Sequence, residues 1–488
     1  MKKFGKENFK TVLLCMLFML SIALNQQLWK RISLTKIIPS IRQTETIEVK
    51  NKGNIDNIAD ILSPQSFCIN FGGGLHTVFY ADAYGIWEGV LQSFKDETFK
   101  EELQVESIDQ ESWEKARAFR SIEINFGYNI SVNLLSELVK VNDIKKIDTL
   151  DGFDSILISS KDNDSIYMAD HTKGNYYMIK GLKKNNNILK LIKNIEESGY
   201  DAYYAMQDIY SVENESLMPI ELNKDIHEVK VIQEIDPTNE GQVESFAGTF
   251  FGENLDFVRK IRETSGSVIF MYGYGQKELK IDDLGVLQYI EKIDAEKASK
   301  NISFEDALKI ALQFINNHGS WANIDIYLKD VEEPEKNRYI FSFGYRKNGL
   351  PVYYKTEDTK NMTDAAVQVE VLGEQVIYYK RFLKREKISI KFLEDEENMT
   401  ILTAPQILDM NFGFIKGDFL RNIQKDVVLD QEEIQKKVLS TIKQVDIGYY
   451  NEPEREPNQL TPVWIIKTDK MIYYFDAYNG RMISRTQI

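Results

Sequence analysis

The chain has 488 residues, 43 % of them hydrophobic and 11 % aromatic, and carries a formal charge of −15. Its apolar content suffices for packed cores and excludes a disordered stalk, while the acidic balance argues against nucleic acid and against lying flat on anionic lipid. With only Cys15 and Cys68, a disulfide framework and a cysteine-rich metal cage are both excluded.

The first element is Thr11–Trp29, nineteen residues without a charge, preceded by Lys2, Lys3, Lys6 and Lys10 and followed by Lys30 and Arg31. Its dense apolar part, Val12–Leu24, is thirteen residues, short of the roughly 20 that a spanning helix needs. The stretch spans only with Asn25–Trp29 in the interfacial layer and Trp29 as the outer anchor. The lysine-rich start keeps that end in the cytoplasm and sends residues 33–488 outside the cell membrane. Apolar character continues through Leu28, which favours an uncleaved anchor over the alternative, a signal peptide cut after Ala23. Cys15 comes too early in the run for lipid attachment. A large exported chain without disulfides suits a Gram-positive surface.

Ser33–Asn57 is polar and broken by Pro39, a tether or first strand. Near Ser63-Pro64-Gln65 the pattern turns to strand: Phe67–Phe71 and Leu75–Tyr80 are joined by Gly72-Gly73-Gly74. Helical spacing marks Ile86–Leu103 and Glu111–Phe119, and alternation marks Ser121–Phe126. Ser155–Ser159 and Ser165–Ala169 form a hairpin around Asp162-Asn163-Asp164, with Tyr176–Lys180 as a third strand. Asn186–Glu197 is a helix stopped by Gly199.

Gly266–Tyr274 and Leu284–Ile293 then read as strands. The clearest helix follows, capped by Ser303 and Asp306 and ended by Gly319, with Phe304, Ala307, Leu308, Ala311, Leu312 and Ile315 on one face. Beyond it come Ile324–Val331, Tyr339–Tyr345, Gly349–Tyr354 and a pair of strands, Ala365–Leu372 and Gln375–Arg385, across Gly373. The last hundred residues repeat that order in shorter form. A helix begins at Asp430, with Glu433 three residues on, and strands follow at Asp446–Tyr450, Pro462–Ile466 and either side of Asn479-Gly480. Matching the Pro-Val-aromatic strands, Pro351-Val352-Tyr353 and Pro462-Val463-Trp464, aligns the two copies. The expected fold class is α+β: an N-terminal transmembrane helix (1–32), an α+β domain (33–205), and two related modules of antiparallel sheet with a packed helix (206–395 and 396–488).

The common catalytic signatures are missing. There is no G-x-S-x-G, no P-loop and no H-E-x-x-H, and the four histidines, His76, His171, His227 and His318, are scattered singly. His318 reads as a helix C-terminal residue and His171 as a hairpin-loop residue. Asp162-Asn163-Asp164 fails as a calcium loop because Tyr167 and Lys173 stand where Gly and Glu are required. Gly72-Gly73-Gly74 reads as a turn rather than an anion cradle, and Asn479-Gly480 as a hairpin turn. No catalytic, metal or cofactor residue is named from these patterns, and no cofactor is expected.

The order of parts resembles the YycH (WalH) family. The pieces that carry the likeness are the anchor, the Ser63-Pro64-Gln65 strand, Ser303–Gly319 with Asn348-Gly349-Leu350-Pro351-Val352-Tyr353, and Pro462-Val463-Trp464 with Tyr474-Phe475-Asp476-Ala477-Tyr478-Asn479-Gly480. The latter half also looks like YycI and, more loosely, PepSY-like modules; the length favours YycH. The resemblance implies a membrane-anchored, non-enzymatic accessory regulator of a WalK (YycG) sensor histidine kinase in a two-component system for cell-wall metabolism, acting with a YycI-type partner. Its contacts with the kinase would run through transmembrane helices, and Ser21, Ala23, Asn25 and Gln26 are the anchor residues available for packing or hydrogen bonding. The alternative is an anchored or secreted protein or enzyme acting on cell-wall polymer.

Overall fold

Alternation decides the first sheet. In β1 (Ser66–Gly72) Phe67 and Ile69 face one way, Cys68 and Asn70 the other. The computed structural model describes the chain from residue 61 onward, except 96–103, 132–133, 136–149, 151, 163, 182–186, 223–225, 253–254, 320, 322–323, 355–364, 388–399, 422–429 and 454. The expected anchor and tether, with Ser21, Ala23, Asn25 and Gln26, lie outside the described residues. Among those described, no helix is long and apolar enough to cross a membrane. Val49–Ile488 belongs to one compact unit.

After β1 come β2 (Leu75–Phe79), α1 (Ile86–Lys95), β3 (Gln104–Ile108), α2 (Gln110–Arg117), β4 (Ser121–Ile130), β5 (Phe153–Ser159), β6 (Ser165–Asp170), β7 (Asn175–Lys180), α3 (Asn187–Ser198), β8 (Tyr203–Ala205), α4 (Met206–Tyr210) and β9 (Leu217–Pro219). They build an antiparallel sheet of order β3-β7-β6-β5-β4-β1-β2-β8-β9, which carries the first sheet past residue 205. The β1–β2 turn holds Gly72, Gly73 and Gly74 at φ +84°, +67° and +80°, where a side chain would be strained. Register stacks Ile69, Ile122 and Ile158 in one row and Phe67, Ile124 and Ile156 in the next. Trp87 of α1 packs edge-on against Phe126 at 5.1 Å, and Ile192 and Ile195 of α3 join this core. On the opposite face α2, capped by Asp109, sets Trp113 and Ala116 against Leu157, Tyr167 and Tyr176.

The rest of the chain has one topology three times: helix first, then four antiparallel strands in sequence. In the first copy α5 (Glu240–Phe251) precedes β11 (Arg259–Arg262), β12 (Val268–Tyr272), β13 (Lys277–Ile281) and β14 (Leu287–Glu291), with β10 (Val229–Gln233) ahead of them. In the second, α6 (Phe304–Asn317) precedes β15 (Asp325–Glu335), β16 (Arg338–Lys347), β18 (Val367–Leu372) and β19 (Gln375–Arg381). Between β16 and β18 runs an extra strand, β17 (Leu350–Tyr354), and β20 (Lys384–Glu386) follows β19. The third copy has α7 (Ala404–Arg421), α8 (Gln431–Ser440), then β21 (Ile442–Glu452), β22 (Glu456–Thr468), β23 (Met471–Asp476) and β24 (Met482–Gln487).

Two expectations need correcting here. Pro351-Val352 lies in the inserted β17, whereas Pro462-Val463 lies in β22, the second strand of its meander. The matched letters are therefore not topologically equivalent, although the order of elements does repeat. The first helix of the third copy, α7, is also new. Its buried stripe is Ala404, Ile407, Leu408, Asn411, Ile415 and Asp418. It clasps the meander through Asn411 Nδ2, which donates to Gly480 O at 2.9 Å, and Asp418, which accepts from Tyr473 at 3.0 Å and Arg485 at 2.7 Å.

The first two meanders join where β14 pairs with β19, placing Tyr289 opposite Tyr379. Phe250 of α5 and Phe314 of α6 cover that pair, with ring centroids 4.9 Å and 5.4 Å from Tyr289 and Tyr379 respectively. Beside them Arg381 donates to both Glu234 oxygens, at 2.7 and 2.8 Å, and to Gly319 O at 2.8 Å. Arg381 is 1 % exposed, so this ion pair is fully inside. Helix α6 starts as expected: Ser303 Oγ accepts from the Asp306 amide at 3.1 Å and donates to its carboxylate at 2.9 Å. His318 closes it and stacks on Phe314 at 4.0 Å. Asn348 and Gly349, both at positive φ, turn β16 into β17; β17 then pairs in parallel with β21, Val352 opposite Tyr449.

Candidate functional site: the cavity between the first sheet and the third meander

The back face of β1 and β4 next to α2 is polar, and part of it stays uncovered by α2. Across from it stands the corner where α8 runs into β21. Between them lies a cavity of about 460 Å³ whose wall includes Cys68, Tyr80, Arg117, Glu123, Tyr203 and Asp446. The β8–β9 connection closes one side. Asn214 Nδ2 donates to Leu439 O at 2.8 Å and Ile442 O at 2.7 Å, and Ser216 Oγ to Ile442 O at 3.0 Å. These bonds hold carbonyls at the corner where α8 runs into β21 and tie down the segment that carries Glu213 and Glu215 on the cavity wall.

One bond crosses the cavity's inner end. Tyr80 Oη, just past β2, donates to Asp446 Oδ1 of β21 at 2.7 Å, with Tyr203 Oη 3.4 Å away. Gln444 Nε2 donates to the other Asp446 oxygen at 2.5 Å. Burial pushes the Asp446 carboxyl up to about 6, against the pull of those two hydrogen bonds. A second cavity, about 60 Å³ and lined by Ala81, Leu222, Leu350 and Ile447, touches the same two tyrosines. The Tyr80–Asp446 bond thus crosses a joint with space beside it.

The two cations of the wall are paired. Arg117 Nε lies 2.9 Å from Glu123 Oε2, and that carboxylate holds the guanidinium well above its ordinary value. Lys443 reaches Asp469 at 3.2 Å. Burial pushes the Cys68 thiol up to about 12, so it stays protonated at neutral pH and is a poor nucleophile.

His171 is indeed in a hairpin turn, between β6 and β7, but it also has a partner. Its Nδ1 is 2.7 Å from Asp154 Oδ1, which raises the imidazole's pKa. Ser155 Oγ stands 3.3 Å from that same nitrogen. A serine hydrolase needs the hydroxyl on the other ring nitrogen, so this trio does not have a triad's geometry. Among the described residues, no three His, Cys, Asp or Glu side chains converge to hold a metal ion. Asp162 accepts a bond from Tyr167 Oη, and Asn479 Nδ2 donates to Asp476 at 2.8 Å within the Gly480 turn.

Sequence reasoning gives none of the cavity residues a functional role. They come from four distant segments, and in their strands Glu123 and Asp446 alternate with apolar neighbours as ordinary solvent-facing residues do. The available signal is that Asp446 sits in a strand otherwise rich in apolar and aromatic residues.

Residues 7–197 match the model of the YycH protein, N-terminal domain. The fold is similar to the crystal structure of YycH from Bacillus subtilis, with a TM-score of 0.53 and 16 % identity over 88 % of this chain and 96 % of that one. A second similarity, to the Bacillus megaterium YpeB C-terminal domain, has a TM-score of 0.24 and 13 % identity, covering 51 % of this chain and 98 % of that one. No curated protein matches. The α+β fold with its antiparallel sheets is that of the Bacillus subtilis structure, and the amino-terminal part of the chain, residues 7–197, is similar to the N-terminal domain of the YycH family.

Proposed function

We propose that this chain is a membrane-anchored extracytoplasmic regulator that modulates a WalK (YycG) type sensor histidine kinase together with a YycI-type protein. The observation that carries the reading is the match of residues 7–197 to the YycH N-terminal domain. The uncharged stretch Thr11–Trp29 between lysine-rich and Lys-Arg flanks supports a single-pass anchor with its amino end in the cytoplasm. Ser21 and Ala23 allow close helix approach, and Asn25 and Gln26 can hydrogen-bond a neighbouring helix near the outer interface. An anchor that prefers one kinase state by about 1–3 kcal/mol shifts signalling output roughly five- to 150-fold. The division at 205/206 and 395/396 is likewise a proposal, checked by limited proteolysis.

The test is co-purification from native membranes, comparing the full chain with one whose Thr11–Trp29 is replaced by an unrelated spanning helix. Recovery of a histidine kinase with the full chain, and its loss with the swapped anchor, supports the reading. Recovery with both moves the contact to the outer domains. If neither retains a kinase, the regulatory reading fails, and binding to cell-wall polymer is the next assay.

A further inference from the structure

A cavity of about 460 Å³ falls within the size range of small-molecule sites, and its charges select what can enter. Four carboxylates line it, Glu123, Glu213, Glu215 and Asp446, against two cations, Arg117 and Lys443. The Glu123 carboxylate is taken by Arg117 at 2.9 Å, and the same guanidinium only grazes exposed Glu215 at 4.0 Å, while Lys443 is drawn toward Asp469 outside the cavity wall. Asp446 differs from the rest. It is 8 % exposed, and its oxygens accept only from neutral donors, Tyr80 and Gln444. Among the described residues no cation lies within ion-pair distance of it. A buried carboxylate without a counter-ion is costly unless something positive reaches it, and the open side of this one is the cavity.

We propose that the cavity binds a small molecule through its ammonium groups. Asp446 takes one ammonium at the inner end, beside the Tyr80 and Tyr203 hydroxyls, and the exposed Glu213 and Glu215 take a second at the rim. The ligand would touch the first sheet through Tyr80 and the third meander through Asp446, so its occupancy stiffens that joint. Amines of this kind come either as free polyamines or as lysine-bearing peptides, and both present the same chemistry to the wall. The proposal does not rest on the kinase reading, since binding is measured on the chain alone.

Titration calorimetry on the full chain in phosphatidylcholine nanodiscs tests it, with spermidine and trilysine amide as separate probes, citrate as the anionic control and empty nanodiscs as the blank. At least one cation should bind with a dissociation constant below about 1 mM, and the tighter of the two identifies the source. Asp446→Asn should weaken binding by about tenfold or more, and the rim double variant Glu213→Gln/Glu215→Gln by roughly three- to tenfold. The rim residues are exposed, so that variant keeps the fold whatever Asp446→Asn does. Absence of binding by either cation, binding of citrate in their place, or equal affinity in wild type and the rim variant overturns the proposal.

Discussion

Where β14 meets β19, Tyr289 and Tyr379 lie opposite each other under Phe250 and Phe314. Where the first sheet meets the third meander, Tyr80 reaches Asp446 beside a cavity of about 460 Å³. The first joint is filled by aromatic rings and sealed by an internal ion pair with matched partners. Its two meanders form a continuous ladder, so neither can move without breaking strand hydrogen bonds. At the second joint the β-ladders do not cross between the two sheets through Tyr80 and Asp446; side chains span it, one of them a carboxylate disfavoured by its surroundings. Density favours a single arrangement; side-chain bridges over a cavity allow two. The seam of the first pair of meanders is thus scaffold, and the joint with the first sheet is where this molecule has room to respond.

The largest expected effect tests the scaffold. Arg381→Ala leaves Glu234 inside with only Arg385, whose Nη2 lies 2.8 Å away, and vacates the space over Gly319. Breaking a buried pair from one side costs roughly 3–5 kcal/mol, read as a drop in the denaturant midpoint at unchanged slope. A loss below about 1 kcal/mol would mean the seam relaxes as readily as the other joint, and the contrast would collapse.

Next in size is the pH dependence of the second joint. Burial sets the Asp446 carboxyl at about 6 in the folded chain against an ordinary value of 3.8. Tyr80, Tyr203, Gln444 and the more distant Lys467 face it. Because the folded value is raised, the folded state binds the extra proton. This contribution is full below about pH 4, is lost as pH rises through 6, and is flat above that. Its span corresponds to roughly 2–3 kcal/mol. Unfolding measured between pH 4 and 7 should show the decline in wild type and its absence in Asp446→Asn. An identical slope in both would place the titration elsewhere.

What could be read from the sequence divides along the same line. Elements with a strong local signal announce themselves: β1 and β2 around three glycines, α6 with its cap and its apolar stripe, the Asn479-Gly480 hairpin. Helix α7 stayed silent because two of its six buried positions, Asn411 and Asp418, are polar and Gly413 and Gly417 interrupt its run. The first meander was half legible, since β11 (Arg-Lys-Ile-Arg) and β13 (Lys-Glu-Leu-Lys-Ile) carry their charges on an open face. The cavity was the least accessible. Glu123 and Asp446 occupy the polar phase of alternating strands, and only the tertiary fold turns that phase inward.

The smallest effects come from two matched caps. Ser303 accepts from the Asp306 amide at the start of α6, and Asp430 accepts from the Glu433 amide at 2.8 Å at the start of α8. Each substitution by alanine removes one such bond, worth about 1 kcal/mol. The consequences should still differ, because the helices are held differently. Helix α6 buries Ala307, Leu308, Ala311, Leu312 and Ile315 along its length, so its cap is coupled to the whole fold. Ser303→Ala should lower the global midpoint. Helix α8 buries only Val438 and Leu439, near its end. Asp430→Ala should leave the midpoint nearly unchanged and instead speed amide hydrogen exchange in the first turns of α8, as local opening does. Equal shifts of the midpoint in the two variants would show that α8 unfolds only with the scaffold. The corner carrying Leu439 and Ile442 would then be as rigid as the aromatic seam, and movement at the cavity would have to come from Tyr80 and the first sheet alone.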